Sequence, residues 1–403
     1  MINSIHIKNF KSIVDLTLDL GKFNVIIGEN GCGKTNILEA ISFASAANQE
    51  RLDNDYLGGR IRFSDSKFVY PAFFEMNSNA KSERIIDISV QEQGKLSSSI
   101  LCMYSEESSK WLSFASFQDD LMMSQLLKQM IETLPKVKES FEELLLKANT
   151  TLDKLKDDIE QLHLEDIKKN LSPAYHVIKD AVIKKEDLNG FQIFCPEESS
   201  LRKFDSEAQI TPLGLKGEGL FRYLKELSLK KDLVFFENLN NALHKIDWYN
   251  GFRFPDDSLS NEFRVEIADK YLGDTIHLYD QRSTNEGFLY LLFYYTLFYS
   301  KQTPSFFAID NIESSLNPKL TTRVVSDLIT ISKENEKQVI LTTHCPFVLD
   351  ALDLSDEQIR LYVAKRNKDG YTQVRRIKDK LGRSIKLSEV WMKGMIGGLP
   401  DNF

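Results

Sequence analysis

Gly28-Glu29-Asn30-Gly31-Cys32-Gly33-Lys34-Thr35 follows the apolar run Phe23-Asn24-Val25-Ile26-Ile27 and precedes Asn36-Ile37-Leu38-Glu39-Ala40-Ile41 without a break. The eight residues satisfy GxxxxGK[ST], and their flanks predict a strand that enters a glycine-rich turn and leaves it as a helix. Glycines let successive backbone N–H groups wrap an anionic phosphate, and the helix adds its N-terminal partial charge. Lys34 supplies a point charge for the β- and γ-phosphates, and Thr35 a hydroxyl for Mg²⁺. The expected nucleotide-binding set is Gly28, Asn30, Gly31, Cys32, Gly33, Lys34, Thr35 and Asn36. Cys32 allows two arrangements: an exposed thiolate favoured by Lys34 and the helix start, or an inert side chain turned into the strand–helix junction.

Two further strands end in chemistry. Phe306-Phe307-Ala308-Ile309-Asp310 is an apolar run closing on a carboxylate, which places Asp310 at the C-terminal edge of a parallel sheet beside the phosphate turn, able to hold Mg²⁺ through water. Val339-Ile340-Leu341-Thr342-Thr343-His344 closes on an imidazole that can hydrogen-bond a γ-phosphate.

Outward from these motifs, IHIKNF, VDLTLDL and FNVIIG read as strands in the first 45 residues, and FVYPAFFEM and RIIDISVQEQ as strands of a small antiparallel sheet between 67 and 100. From about 119 to 185 the pattern turns helical, with Pro135 and Pro173 at expected helix boundaries, which predicts a helical hairpin or lobe. Gly214, Gly217 and Gly219 lack a preceding strand and a following Lys-Ser/Thr, so they read as a helix-entry turn. Then FFENLNNALHKI reads as a helix, FRVEIADKYL and IHLYD as strands, Phe288 to Tyr299 as an apolar helix, and LYVAKR as a final strand after the two already named. Strands alternating with helices imply a mainly parallel sheet covered on its faces. The expected division is 1–118 and 206–403 as two parts of one α/β head, with 119–205 as a helical insertion.

With 42% hydrophobic and 27% charged residues, the 403-residue chain can bury a full core. A net charge of −8 argues against coating nucleic acid with the whole surface, so a polyanion must be met locally. The basic stretch 365–386, with Arg375, Arg376, Lys378, Lys380 and Arg383, offers such a patch, and equally a solvated surface or a site for an acidic protein. Cys32, Cys102, Cys195 and Cys345 lie far apart with no CxxC, which suits reduced thiols. The N-terminus lacks a signal-peptide pattern, and the apolar run Phe288 to Tyr299 is shorter than the ~20 residues of a membrane span. The expected setting is cytoplasmic, without a membrane partner.

IHIKNFKSI, GENGCGKTNILEAI, AIDNIESSLNP and TTHCPFVLDAL together resemble the ABC-type ATPases of the SMC and OLD group, particularly the short AAA15/AAA21-like ATPases. The resemblance covers roughly 1–45 and 205–403, and LSEVWMKGMIGGLP is similar to the tail of that subgroup. It implies an ABC-type P-loop head with a largely parallel sheet, an antiparallel β subdomain, and ATP with Mg²⁺ as cofactors. Lys34 and Thr35 take the Walker A roles, Thr35 and Asp310 hold the metal, Ser314-Ser315-Leu316-Asn317 forms the D-loop, and His344 is the switch histidine. Members work as head-to-head dimers, each nucleotide clamped by the partner's signature. Ser283-Thr284-Asn285-Glu286-Gly287-Phe288 resembles that signature, which adds Asn285, Glu286 and Gly287 to the nucleotide-binding set, with Asn285 where a serine is usual.

The pattern is broken at one place. The glutamate that orients the attacking water usually follows the Walker B aspartate, and Asn311 stands there. An amide cannot accept a proton as a carboxylate does, so either Glu313 substitutes or the protein is a nearly hydrolysis-dead ATP sensor. The expected catalytic set is Glu313, Asn311 and His344. Two functions fit: an ATP-driven sensor that dimerises and controls a separate nuclease or toxin in anti-phage defence, or a DNA repair ATPase of the SMC/RecF type. The stretch after His344 is shorter than the TOPRIM nuclease domain of OLD proteins, so a nuclease is expected to be a separate chain.

Overall fold

A computed structural model describes residues 1–62, 65–70, 85–92, 98–105, 109–117, 188–203, 212–255, 265–273, 278–378 and 385–399. The helical lobe expected between 119 and 185 lies outside the described residues.

Strand β1 (Ile2–Phe10) and β2 (Ile13–Asp19) alternate buried and open positions and pair antiparallel across the turn at Lys11 and Ser12. With β4 (Ile86–Glu92), β5 (Ser98–Ser105) and β6 (Lys110–Phe117) they form an antiparallel sheet in the order β2-β1-β4-β5-β6. The expected antiparallel sheet thus recruits the first two strands. FVYPAFFEM is not a strand at its start, because Ser66–Val69 closes a 3-10 turn.

Strand β3 (Phe23–Ile27) is buried at every position and lies inside a six-stranded sheet, β14-β13-β3-β12-β11-β7. The other strands are β7 (Ile193–Phe194), β11 (Phe306–Ile309), β12 (Gln338–Thr343), β13 (Ile359–Arg366) and β14 (Thr372–Ile377), with β12 and β13 flanking β3. All pairs are parallel except β13 with β14. LYVAKR is therefore not the last strand. Strand β7 also moves a boundary: residues 193–194, assigned to the insertion by sequence, are an edge of the ATPase sheet.

Period-two alternation sends the sheet into two cores. Phe23, Val25 and Ile27 face one, with Phe307, Ile309, Val339 and Leu341, while Ile26, Phe306, Ala308 and Ile340 face the other. The second core holds α1 (Lys34–Asn48), buried along most of its length and joined there by the antiparallel sheet's apolar face. Two short helices, α2 (Asn54–Gly58) and α3 (Glu198–Leu201), follow in the chain. The first core is covered by α4 (Leu220–Leu229), entered through Gly219 as its N-cap, α5 (Leu233–Leu243), α6 (Glu286–Tyr299) and α7 (Pro318–Glu334). Helix α6 buries eleven residues around its whole circumference, which explains a run apolar on every side. No helix among the described residues is long and apolar enough to cross a membrane. A three-stranded antiparallel sheet, β8 (Tyr249–Arg253), β9 (Glu266–Asp269) and β10 (Leu278–Asp280), precedes α6, and α8 (Leu387–Met392) follows β14.

Candidate functional site

The phosphate turn forms because β3 must stop where α1 begins. Gly33 caps α1 at φ 103°, and a Cβ there would fall 2.0 Å from Thr372 Oγ1, so only glycine fits. Lys34, 5% exposed, donates from Nζ to the carbonyls of Gly28 and Glu29, each at 2.9 Å. Burial lowers its pKa, against the pull of Cys32, Asp310 and Glu313. A polar lattice grips the turn from outside. Asn36 donates to Ser12 Oγ at 2.7 Å, Ser12 shares a 2.6 Å hydrogen bond with Thr372, Thr372 donates to the Cys32 carbonyl at 3.0 Å, and Arg366 Nε donates to the Gly31 carbonyl at 2.8 Å. Asn30 and Gly31 are exposed at the tip. Cys32 takes the inert arrangement: it is 1% exposed in the second core, and burial raises its pKa despite Lys34.

Strand β12 lies between β3 and β11, so Asp310 meets Thr35 over its end. Thr35 Oγ1 donates to Asp310 Oδ2 at 3.1 Å, and Thr342 Oγ1 donates to Asp310 Oδ1. A hydroxyl and a carboxylate oxygen suit a hard cation such as Mg²⁺, which needs few protein ligands when phosphates supply the rest. Among the described residues no group of three or more His, Cys, Asp or Glu could cage a metal alone.

Beyond Asp310 the chain turns instead of continuing as a strand. Asn311 adopts φ 57°, its N–H donating to Thr342 Oγ1 at 3.0 Å. That turn brings Glu313 back to the end of β12, where Oε2 accepts from Thr343 Oγ1 and Oε1 from the His344 N–H, both at 2.8 Å. Glu313 and His344 are thus adjacent, and Asn311 and Glu313 do not share a strand face. Burial of its surroundings, and then Lys34, push the His344 imidazole below 6.5, outweighing Glu313 and Asp310.

Asn285, Glu286 and Gly287 sit at the start of α6, where Asn285 Oδ1 accepts from the Phe288 N–H at 2.8 Å as N-cap and leaves its Nδ2 group to donate. Glu286 accepts from Ser315 Oγ, and a Cβ on Gly287 would lie 3.3 Å from the Ser315 carbonyl. The structure therefore seats this segment on the chain's own Ser314–Asn317 turn. Arg202, which sequence reasoning missed, donates from Nη1 to the carbonyls of Gln281, Arg282 and Thr284 at 3.2, 2.9 and 2.8 Å, fixing the approach to α6. No sequence motif marks it.

Two more cations were unmarked. Lys11 and Arg62 both bind Glu39, which is 2% exposed, at 2.7 and 2.8 Å, and line a cavity of about 350 Å³ with Asn36, Phe68 and Arg366 beside the phosphate turn. Burial lowers the Lys11 pKa, whereas Glu39 raises that of Arg62. In the basic stretch, Arg375 Nη2 donates to the Ile396 carbonyl at 2.7 Å and Arg376 pairs with Glu357 at 2.7 Å, so neither is a free phosphate contact. Lys380 and Arg383 lie outside the described residues.

A P-loop on β3, a carboxylate on β11, a histidine after β12 and an antiparallel sheet over α1 define an ABC-type P-loop ATPase head. The AAA ATPase domain family, AAA_15, matches residues 1–349, and the chain belongs to that family. The DNA replication and repair protein RecF of Acholeplasma laidlawii is 24% identical over 280 residues, covering 67% of this chain and 79% of that protein. RecF of Bacillus cytotoxicus is 47% identical over 55 residues, 13% of this chain and 15% of the relative. The fold is similar to that of an SMC head solved with the C-terminal winged-helix domain of ScpA, with a TM-score of 0.54 at 14% identity, covering 94% of this chain and 98% of that one.

Proposed function

We propose that the protein binds Mg-ATP at Gly28–Thr35, pairs head to head with a second copy on doing so, and hydrolyses ATP slowly. The observation that carries this is the Thr35–Asp310 hydrogen bond, which joins the two metal-binding side chains of the family's pattern. Mg²⁺ held there neutralises phosphate charge. Lys34, already free of bulk water, has only to exchange the Gly28 and Glu29 carbonyls for phosphate oxygens. Glu313 keeps a lone pair on each oxygen beyond its bonds to Thr343 and His344, so it can orient a water while reporting to the switch element. The Nδ2 group of Asn285 is the donor offered to the partner's nucleotide. Phe68 and Arg366 border the space for the base.

The downstream role we propose is a cytoplasmic sensor that controls a separate nuclease or toxin in anti-phage defence, a reading supported by resemblance to the short AAA15/AAA21-like ATPases. The RecF relatives favour a second reading, a DNA repair or recombination ATPase. Nucleic acid contact through 365–386 belongs with that reading. Light scattering with a non-hydrolysable ATP analogue tests the dimer: Gly287→Arg, which crowds the start of α6 where a Cβ lies 3.3 Å from the Ser315 carbonyl, leaves a monomer that still binds the analogue. An ATP-stable dimer of that variant refutes the composite site. Equal ATP turnover with and without DNA counts against the repair reading.

A further inference from the structure

We propose that residues 387–399 form a strap that seats the phosphate loop against the switch element, with Asp350, Ser388 and Gly398 as positioning residues for nucleotide binding. The proposal rests on Gly28–Thr35 being the nucleotide site.

At one end the strap touches the loop itself. Gly398 adopts φ 81°, and a Cβ built on it would lie 2.7 Å from Val363 Cγ1 and 3.4 Å from the Cα of Gly28, the first glycine of the phosphate turn. Gly28 is approached from β13 as well: a Cβ there would fall 2.3 Å from the Ala364 carbonyl. The backbone at Gly28 is therefore packed between β13 and the strap, and its position depends on both. The strap is held down in between, where Val390, Trp391 and Ile396 are at most 5% exposed and Arg375 Nη2 donates to the Ile396 carbonyl at 2.7 Å.

At the other end it grips the switch. His344 leads directly into the 3-10 helix Pro346–Ala351, and Asp350 in that helix accepts from the Ser388 N–H at 3.0 Å and from Ser388 Oγ at 2.8 Å. The contacts run from Glu313 through His344, Asp350 and Ser388 to Gly398 and Gly28. Together with the chain between them, these contacts link Glu313 to the first glycine of the phosphate turn. Trp391 lies in the middle, its Nε1 buried without an acceptor among the described residues and 3.6 Å from the position of a Gly398 Cβ.

Titration calorimetry with Mg-ATP on the full chain tests the strap, and Gly397 provides a matched control. Gly397 has φ 74° but nothing within 4 Å of a Cβ, so Gly397→Ala carries the same backbone strain without the contact. The expected Kd for Gly397→Ala is within about twofold of the parent, whereas Gly398→Ala binds about tenfold more weakly. Asp350→Asn, which weakens the far end, costs about threefold, and the double variant Asp350→Asn/Gly398→Ala is no weaker than Gly398→Ala alone, because an unseated strap transmits nothing. Equal losses in Gly397→Ala and Gly398→Ala, or losses that multiply in the double variant, overturn the proposal. Should Gly398→Ala not fold, Gly398→Ala with Val363→Ala, which removes the Cγ1 atom it strikes, decides by the same comparison. Lys34→Ala separates the two readings: undiminished affinity there overturns the nucleotide site itself, while its loss beside a parental Gly398→Ala overturns the strap alone.

Discussion

The phosphate turn and the Walker B turn face each other across the site, yet they reach left-handed backbone by opposite routes. In Gly28–Thr35 the positive φ values fall on glycines, Gly28, Gly31 and Gly33, so residue type alone permits the shape. Between Asp310 and Pro318 they fall on Asn311 and Ser315, at 57° and 60°. Side chains outside the turn impose them: Thr342 holds the Asn311 N–H, and Glu286 accepts from Ser315. The lesson is that a turn written in glycine is portable, while a turn written in tertiary hydrogen bonds places its side chains wherever those bonds allow, and here they bring the Glu313 carboxylate to the end of β12.

The largest effect that separates the two turns is expected at Lys34. Lys34→Ala removes the charge for phosphate and the two carbonyl bonds of the turn, and ATP affinity falls by roughly a hundredfold or more while the fold persists. Calorimetry of the variant, with circular dichroism as the fold control, checks this. On the opposite turn, Glu313→Gln keeps an acceptor for the His344 N–H and retains ATP binding, yet its turnover drops by about a hundredfold. A phosphate-release assay at saturating ATP that finds the parental rate places the base elsewhere.

A smaller effect concerns the residue type at 311. Because position 311 is left-handed, Asn311→Gly changes stability little, whereas Asn311→Glu costs about 1 kcal/mol from backbone strain and gains no turnover. Urea midpoints of the two variants decide it, and a faster Asn311→Glu enzyme would break the comparison between the turns. The smallest effect is a pH dependence. The folded state takes up the His344 proton less readily than the unfolded chain, so stability is unaffected above the ordinary value of 6.5 and declines as pH falls below it. His344→Gln flattens that limb: its melting temperature shifts less than the parent's between about pH 7.5 and about pH 5.5.

The sequence by itself determined the parts that follow from residue type and short-range period. The continuous apolar runs of β3 and β12, the glycine turn, the helical start of α1 and the carboxylate after β11 each depend on neighbours within a few residues, so they were legible from the sequence. Helix α6 was legible as a core helix from a run apolar on every side, and its burial bears that out. What the tertiary structure alone decided are contacts between residues far apart in the chain. Thr372 and Arg366 reach the phosphate turn, Arg202 braces the start of α6, and β7 completes the sheet edge from a stretch assigned to the insertion. The same holds for Cys32, whose pKa the local sequence pulls down through Lys34 and the packing of α1 pushes up by more. Desolvation depends on everything that surrounds a group, and a sequence lists only its neighbours along the chain.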